Sequence, residues 1–192
     1  MEISRIEDTM TINMLVVFDT ALIIKSYPKP SLDKTMPLAI KINSQYVFCT
    51  GARNLISRQG KAKLSILAYP NDALKFRGVS IYQNSTDATI IYQVKNTIDD
   101  DLSNQFVPYA VVMDNAFQPD PESASYDGLP ALHVKENFMS LDSKIQSSGQ
   151  KNYRICFALY RLTDNGETQN LYGFFYWEFK LKIYLKVNDT II

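Results

Sequence analysis

The stretch LYGFFYWEFKLKIYLKV, residues 171–187, carries the only tryptophan of the chain, three of its 12 tyrosines and three of its 10 phenylalanines. Taken by alternate positions it splits into two sets. Leu171, Gly173, Phe175, Trp177, Phe179, Leu181, Ile183, Leu185 and Val187 are apolar apart from the glycine, whereas Tyr172, Phe174, Tyr176, Glu178, Lys180, Lys182, Tyr184 and Lys186 are aromatic or charged. Successive side chains of a strand point to opposite sides of the pleat, so this alternation predicts a strand with one buried and one wet face. A helix would distribute the lysines round its whole circumference. The four charges inside the segment exclude a membrane helix, which needs a run of about 18 apolar residues. Most of the aromatic mass is therefore core. Seventeen extended residues span roughly 55 Å at ~3.3 Å each, more than a usual strand, which predicts a bend, bulge or break near Trp177.

Outward from this segment, 192 residues suffice for one well-filled core, and no linker divides them, so one domain over residues 1–192 is expected. Twenty basic and 20 acidic side chains give a formal net charge of zero, with an isoelectric point near 6.6. That balance offers no electrostatic attraction to nucleic acid or an anionic membrane. It also removes the self-repulsion that keeps copies apart, which favours self-association. The N-terminal stretch MEISRIEDTMTINMLVVFDT is acidic where a secretory signal is cationic, and its apolar run stops at Asp19, so a cytoplasmic protein without a signal peptide is expected. Cys49 and Cys156 are too few for a disulfide framework; buried thiols are the plain reading and a single buried disulfide the alternative.

Short strand-like runs recur between turn signals: residues 12–18, 45–50, 63–69, 74–82, 88–94, 106–113 and 152–162 precede the closing stretch. Asn165-Gly166 is the strongest hairpin signal and joins 152–162 to the closing strand. Residues 20–27 read as two helical turns ending at Pro28. Residues 137–146 read as a short helix, or as a strand through their first half. Residues 114–130, with three prolines and a glycine, read as a long loop. About eight strands without βαβ alternation predict an all-β, antiparallel β-sandwich of jelly-roll-like form with one or two short helices.

Motifs that carry chemistry are few. No G-x-S-x-G, Walker loop or C-x-x-C occurs, and His133 is the sole histidine, so a catalytic dyad would need Cys49 or Cys156 beside it. Zinc would need more nitrogen and sulfur ligands than are present. Oxygen ligands are more plentiful: Asp99, Asp100 and Asp101 form a run, and Asp114, Asn115, Asp120, Glu122 and Asp127 share the long loop. Calcium favours such oxygens from irregular backbone, but the spacing matches no EF-hand and solvated acidic loops are the commoner case. No metal and no cofactor is assigned. Tyr172, Phe174 and Tyr176, opposite Trp177 in the alternation, are either covered by another segment or form an exposed aromatic patch that stacks on sugar rings or on a second copy. With Asp114, Asp120 and Asp127 of the loop they make up the candidate assembly or ligand surface.

Three stretches, in order, resemble the bacterial inclusion-body protein family of the PixA and AidA type. INMLVVFDTALIIKSYPKPSLD is similar to its opening, an apolar strand ending in Asp followed by a Tyr-Pro-x-Pro-Ser signature, at Asp19, Thr20, Tyr27, Pro28, Pro30 and Ser31. The segment from Leu64 to Val94 resembles its middle, with Asp72, Arg77, Ser80, Asn84 and Asp87 in matching places. LYGFFYWEFKLKI is similar to its closing Gly-aromatic-aromatic-x-Trp strand, through Gly173, Phe174, Phe175 and Trp177. The likeness runs from about residue 12 to 187. Departures are Asn71 for Gly, Phe76 for Trp and Glu178-Phe179 for Asp-Pro, and six methionines are too few for the methionine-rich members' composition.

The resemblance implies a small cytoplasmic β-sandwich protein of host-associated bacteria, made abundantly and in some members packed as crystalline inclusions, with no agreed catalytic residues. Asp19 and Asp72 flank strands, where a carboxylate accepts backbone N–H bonds, so both are expected to be structural. The leading functional expectation is a non-enzymatic self-assembling protein with a storage or host-interaction role, whose partner is itself. A glycan-binding module is the alternative; neither nucleic acid nor membrane is an expected partner.

Overall fold

The computed structural model describes residues 8–41, 43–56, 63–97, 105–187 and 190–191. All eight expected strands form. In chain order they are β1 (Thr11–Phe18), β3 (Gln45–Thr50), β5 (Lys63–Ala68), β6 (Ala73–Ser80), β7 (Ala88–Asn96), β8 (Val107–Gln118), β10 (Gly149–Leu162) and β11 (Gln169–Val187). To these are added β9 (Leu132–Lys144) and three two-residue strands, β2 (Leu38–Ala39), β4 (Asn54–Leu55) and β12 (Thr190–Ile191). One helix, α1 (Thr20–Ser26), follows β1.

The strands make two sheets, and the fold is all-β as expected. The first has the order β3-β1-β6-β9-β8, and the second the order β4-β5-β11-β10-β7 with β2 and β12 also on β11. Their apolar faces meet in one core. The Phe18 ring of the first sheet lies 4.1 Å from the Phe157 ring of the second, and Phe76 meets Tyr153 and Phe179 edge-on at 5.8 and 6.2 Å. Every odd position of β11 from Phe175 to Leu185 is buried, as the alternation requires.

Three details differ from the sequence-based expectation. Not every pairing is antiparallel: β1 with β6, β11 with β5 and β11 with β2 run parallel. Between the members of each pair the chain crosses to the other sheet and re-enters from the same end, so the sheets are mixed. Of the two readings of residues 137–146 the strand holds and the helix does not, and the strand runs past their first half to Lys144, because β9 pairs with β8 along its length and with β6 near its end. The irregularity in β11 lies at Tyr172 and not near Trp177. Leu159 opposes Gly173 while Tyr160 opposes Leu171, which leaves Tyr172 as the extra residue of a bulge. Near Trp177 it is the outer neighbour that changes, from β2 at Phe175 and Tyr176 to β5 from Lys180 onward.

The hairpin between β10 and β11 turns at Asn165-Gly166 as expected. Only Gly166 takes a positive φ there, 73°, while Asn165 accepts a bond from the Glu167 N–H at 3.1 Å.

Candidate functional site: an outer-face groove and a projecting arm

Asp19 and Asp72 are both structural. Asp19 caps α1, its Oδ1 accepting from the Leu22 N–H at 2.9 Å. Asp72 is wholly buried and accepts from the backbone N–H groups of Met10 (2.9 Å) and Tyr69 (2.8 Å) and from Arg53 Nε (3.2 Å) and Nη2 (3.1 Å). Asn84, at φ 62°, closes the turn after β6 by accepting from Ser80 and Thr89 N–H groups at 2.8 and 3.0 Å.

The six candidate surface residues are not brought together. Asp114 is on a strand and not in the loop: β8 continues to Gln118, with Asp114 and Asn115 in a bulge opposite Lys135, whose Nζ lies 3.2 Å away. Asp120 and Asp127 sit in the loop beyond and hold its turns. Asp120 accepts from the Glu122 N–H (2.8 Å), and Asp127 from the Ser125 hydroxyl (2.7 Å) and the Leu129 N–H (2.9 Å). The Ser125 bond leads the causes that lower the Asp127 carboxyl pKa. Among the described residues no three His, Cys, Asp or Glu side chains converge as a metal site would require; Asp99, Asp100 and Asp101 lie outside the described residues.

Tyr172, Phe174 and Tyr176 do not share a face. The bulge turns Tyr172 toward the core, where its ring stacks on Phe175 at 6.3 Å and its hydroxyl donates to the Tyr27 carbonyl at 2.8 Å. Phe174 and Tyr176 remain on the outer face, half-buried. Their cover is the segment 27–40 and not the long loop. This strap is tied down by the Phe174 N–H to the Ser31 carbonyl (2.7 Å) and by the Ile40 N–H to the Tyr176 carbonyl (2.9 Å).

Between the strap and the sheet lies a groove of about 350 Å³. A second bulge shapes it. Cys156 opposes Gln93 and Phe157 opposes Ile91, so Tyr92 is the extra residue and stands beside Gln93 over Cys156. Tyr92 donates to the Lys34 carbonyl at 3.0 Å, which pins the middle of the strap. Burial, ahead of the neighbouring Cys156, pushes its phenol up to about 12, and burial also pushes the Cys156 thiol up. Lys34, Lys95 and Arg154 complete the lining. The Arg154 guanidinium lies 4.3 Å from the Tyr176 ring centroid and 3.8 Å from Glu178.

Both cysteines are buried, on different sheets, and burial pushes the Cys49 thiol up to about 11. His133 is on β9, its ring 4.2 Å from Phe117. A stability consequence follows from the shifted groups. Tyr92, Tyr153, Cys49 and Cys156 all have raised values in the folded state, caused first by burial. Each contributes stability that is intact below its unfolded pKa and lost as pH rises through the folded one. Urea midpoints are expected to be level from pH 7 to about 8.5 and to fall progressively between about 9 and 12; a flat midpoint to pH 11 would contradict the burial of these groups.

The second feature is an arm. β6 holds β9 only from Leu141 to Lys144, and beyond that β8 and β9 pair with each other alone, from Tyr109↔Ser140 out to Gln118↔Leu132. Its root is fixed by Lys75 Nζ on Asp142 at 2.7 Å. Among the described residues nothing covers either face, because the consecutive residues Val111 and Val112, and likewise Phe138 and Met139, are exposed though they point to opposite sides. Val112 is 56% exposed, Tyr109 57% and Phe117 68%. The outer edge of β8 has no partner strand among the described residues. Residues 106–113 read as one more strand-like run in the sequence, in which Pro108 is the mark of an edge.

The model of the PixA family, described as inclusion body protein, matches residues 10–183. The chain belongs to the PixA inclusion body protein family. The crystal structure of an inclusion body protein of the PixA family from Burkholderia cenocepacia J2315 is similar to it with a TM-score of 0.72 at 23% identity, over 94% of this chain and 99% of that one. No curated protein matches the chain. Two of the stretches that carry the PixA resemblance are one packing unit here. Tyr27, Pro30 and Ser31 of the strap lie on Gly173, Phe174 and Phe175 of β11, with the Tyr27 ring edge-on to Phe175 at 6.1 Å.

Proposed function

We propose that this PixA-family protein is a non-enzymatic, abundant, self-assembling protein, deposited as ordered cytoplasmic inclusions in host-associated bacteria, in a storage or host-interaction role. The observation that carries the assembly step is the β8–β9 arm. A two-stranded hairpin is marginally stable alone in water, and this one extends apolar side chains on both faces over roughly 30 Å. Edge strands that stay unpaired are normally guarded by charge, yet residues 107–113 carry none. A second copy of the same arm supplies both a strand for the edge and apolar side chains for the faces. With zero formal net charge, nothing of long range opposes the approach.

Sedimentation velocity tests this. The wild type is expected to associate at micromolar concentration, and Val112→Lys and Phe138→Glu, one on each face of the arm, are each expected to raise the dissociation constant about tenfold or more. Variants that associate as tightly as the wild type would exclude the arm. Light scattering by the assembled material is expected to peak near the isoelectric point of 6.6 and to fall on either side as like charge accumulates. In sections of the native bacterium, antibody label is expected on bodies with lattice fringes; diffuse label would remove the inclusion reading.

A further inference from the structure

We propose that the groove between the strap and the outer face of the second sheet binds a small organic anion, a carboxylate or a phosphate monoester, through Lys34, Lys95 and Arg154. The charge distribution points to an anion. The three cations line one groove of about 350 Å³, and no carboxylate lines it with them. Two acids stand close to the lining. Glu178 stands 3.8 Å from Arg154 with both side chains substantially exposed, a separation that leaves the guanidinium donors largely unspent. Asp33, which accepts from the Thr35 hydroxyl and N–H at 2.6 and 2.8 Å, stays ionised and offsets part of the positive potential, but it does not line the groove.

The groove is also built rather than incidental. Cross-strand neighbours share a face, so the register Lys95↔Arg154↔Glu178 places Lys95 and Arg154 side by side on the outer side of the sheet. Arg154 is held in place by its stacking on Tyr176, and its Nε is buried with no protein acceptor. The exposed end of the guanidinium offers its N–H donors to an anion in the groove as charge-assisted hydrogen bonds. Lys34 is positioned by the bond from Tyr92 to its carbonyl, with its Nζ 4.9 Å above the Tyr92 ring. The floor, Cys156 and Gln93, is uncharged, so nothing beneath repels the ligand. The volume suits a small molecule. This site is remote in sequence from the arm, and its test is run on the Val112→Lys chain so that association through the arm does not interfere.

The experiment is calorimetric titration of the full chain at low salt with phenyl phosphate and with benzoate, using benzamidine as the cationic control, alongside amide NMR. Saturable binding of either anion is expected, with shifts at Thr35, Gln93 and Lys95, no response to benzamidine, and affinity that falls as salt is added. Binding of phenyl phosphate alone assigns the site to phosphate monoesters; binding of both assigns it to carboxylates as well. Lys95→Gln, at an exposed position, and Arg154→Gln are each expected to weaken the affinity at least about fivefold. No binding of either anion, shifts confined to other residues, or wild-type affinity in both variants would overturn the proposal.

Discussion

Asp72→Ala lowers the free energy of unfolding by about 3–5 kcal/mol, the range for breaking one side of a buried ion pair. The carboxylate is fully buried and receives four donors from three parts of the chain: Met10 before β1, Tyr69 after β5, and Arg53 beside β4. Alanine leaves two backbone N–H groups without acceptors and removes the counter-charge of Arg53, whose guanidinium also lies 3.6 Å from the Tyr69 ring centroid. From sequence alone, as a turn carboxylate, the residue would be worth ~1–2 kcal/mol. The difference arises because Arg53 and Met10 are brought to it only by the fold. Urea unfolding followed by the fluorescence of the buried Trp177 measures it, and a loss below about 1 kcal/mol would show the network to be dispensable. Asp72→Asn, which keeps an acceptor and loses the charge, is expected to fall between wild type and alanine.

Gly173→Val is expected to cost about 3 kcal/mol, at the upper end of the overpacking range. A Cβ at residue 173 would stand 2.3 Å from Pro30 Cβ and 3.0 Å from the Ser31 carbonyl oxygen. Neither neighbour can swing aside, one being a ring closed on the backbone and the other the backbone itself. The strap must therefore lift, and the bond from the Phe174 N–H to the Ser31 carbonyl is lost with it. Two readouts identify this mechanism: a lower urea midpoint, and faster hydrogen exchange at the Phe174 and Ile40 amides that tie the strap. An unchanged midpoint with unchanged exchange would mean that the strap tolerates the side chain. Because the strap roofs the groove, the same variant is expected to lose the anion affinity inferred above.

Much of the strand inventory was legible because it depends on local chemistry. Apolar alternation along 171–187, the turn at Asn165-Gly166 and the two helical turns from residue 20 are each settled within a few residues, and the structure places a strand, a hairpin and a helix there. β9 was legible only in part, as one of two readings of residues 137–146. Its sequence LHVKENFMSLDSK lacks a sustained alternation, and β8 and β6 make it a strand by pairing with it. The candidate surface was less legible. Tyr172, Phe174 and Tyr176 look equivalent at alternate positions, and a one-residue bulge separates the first from the other two. Lys34, Lys95 and Arg154 carry no common pattern, since they meet only where the strap crosses β7 and β10.

Side-chain period and motif order along one chain were enough for the fold class, the family and the alternation of the buried strands. Which pairs run parallel, which way the bulged tyrosines face and which apolar strands stay uncovered emerge from the folded chain alone. The distinction is one of range. A pleat sets the direction of each side chain from its immediate backbone, whereas register and coverage are relations between segments tens of residues apart. Residues 107–113 carry no charge, and they are left exposed because no other segment among the described residues lies over the arm that they build.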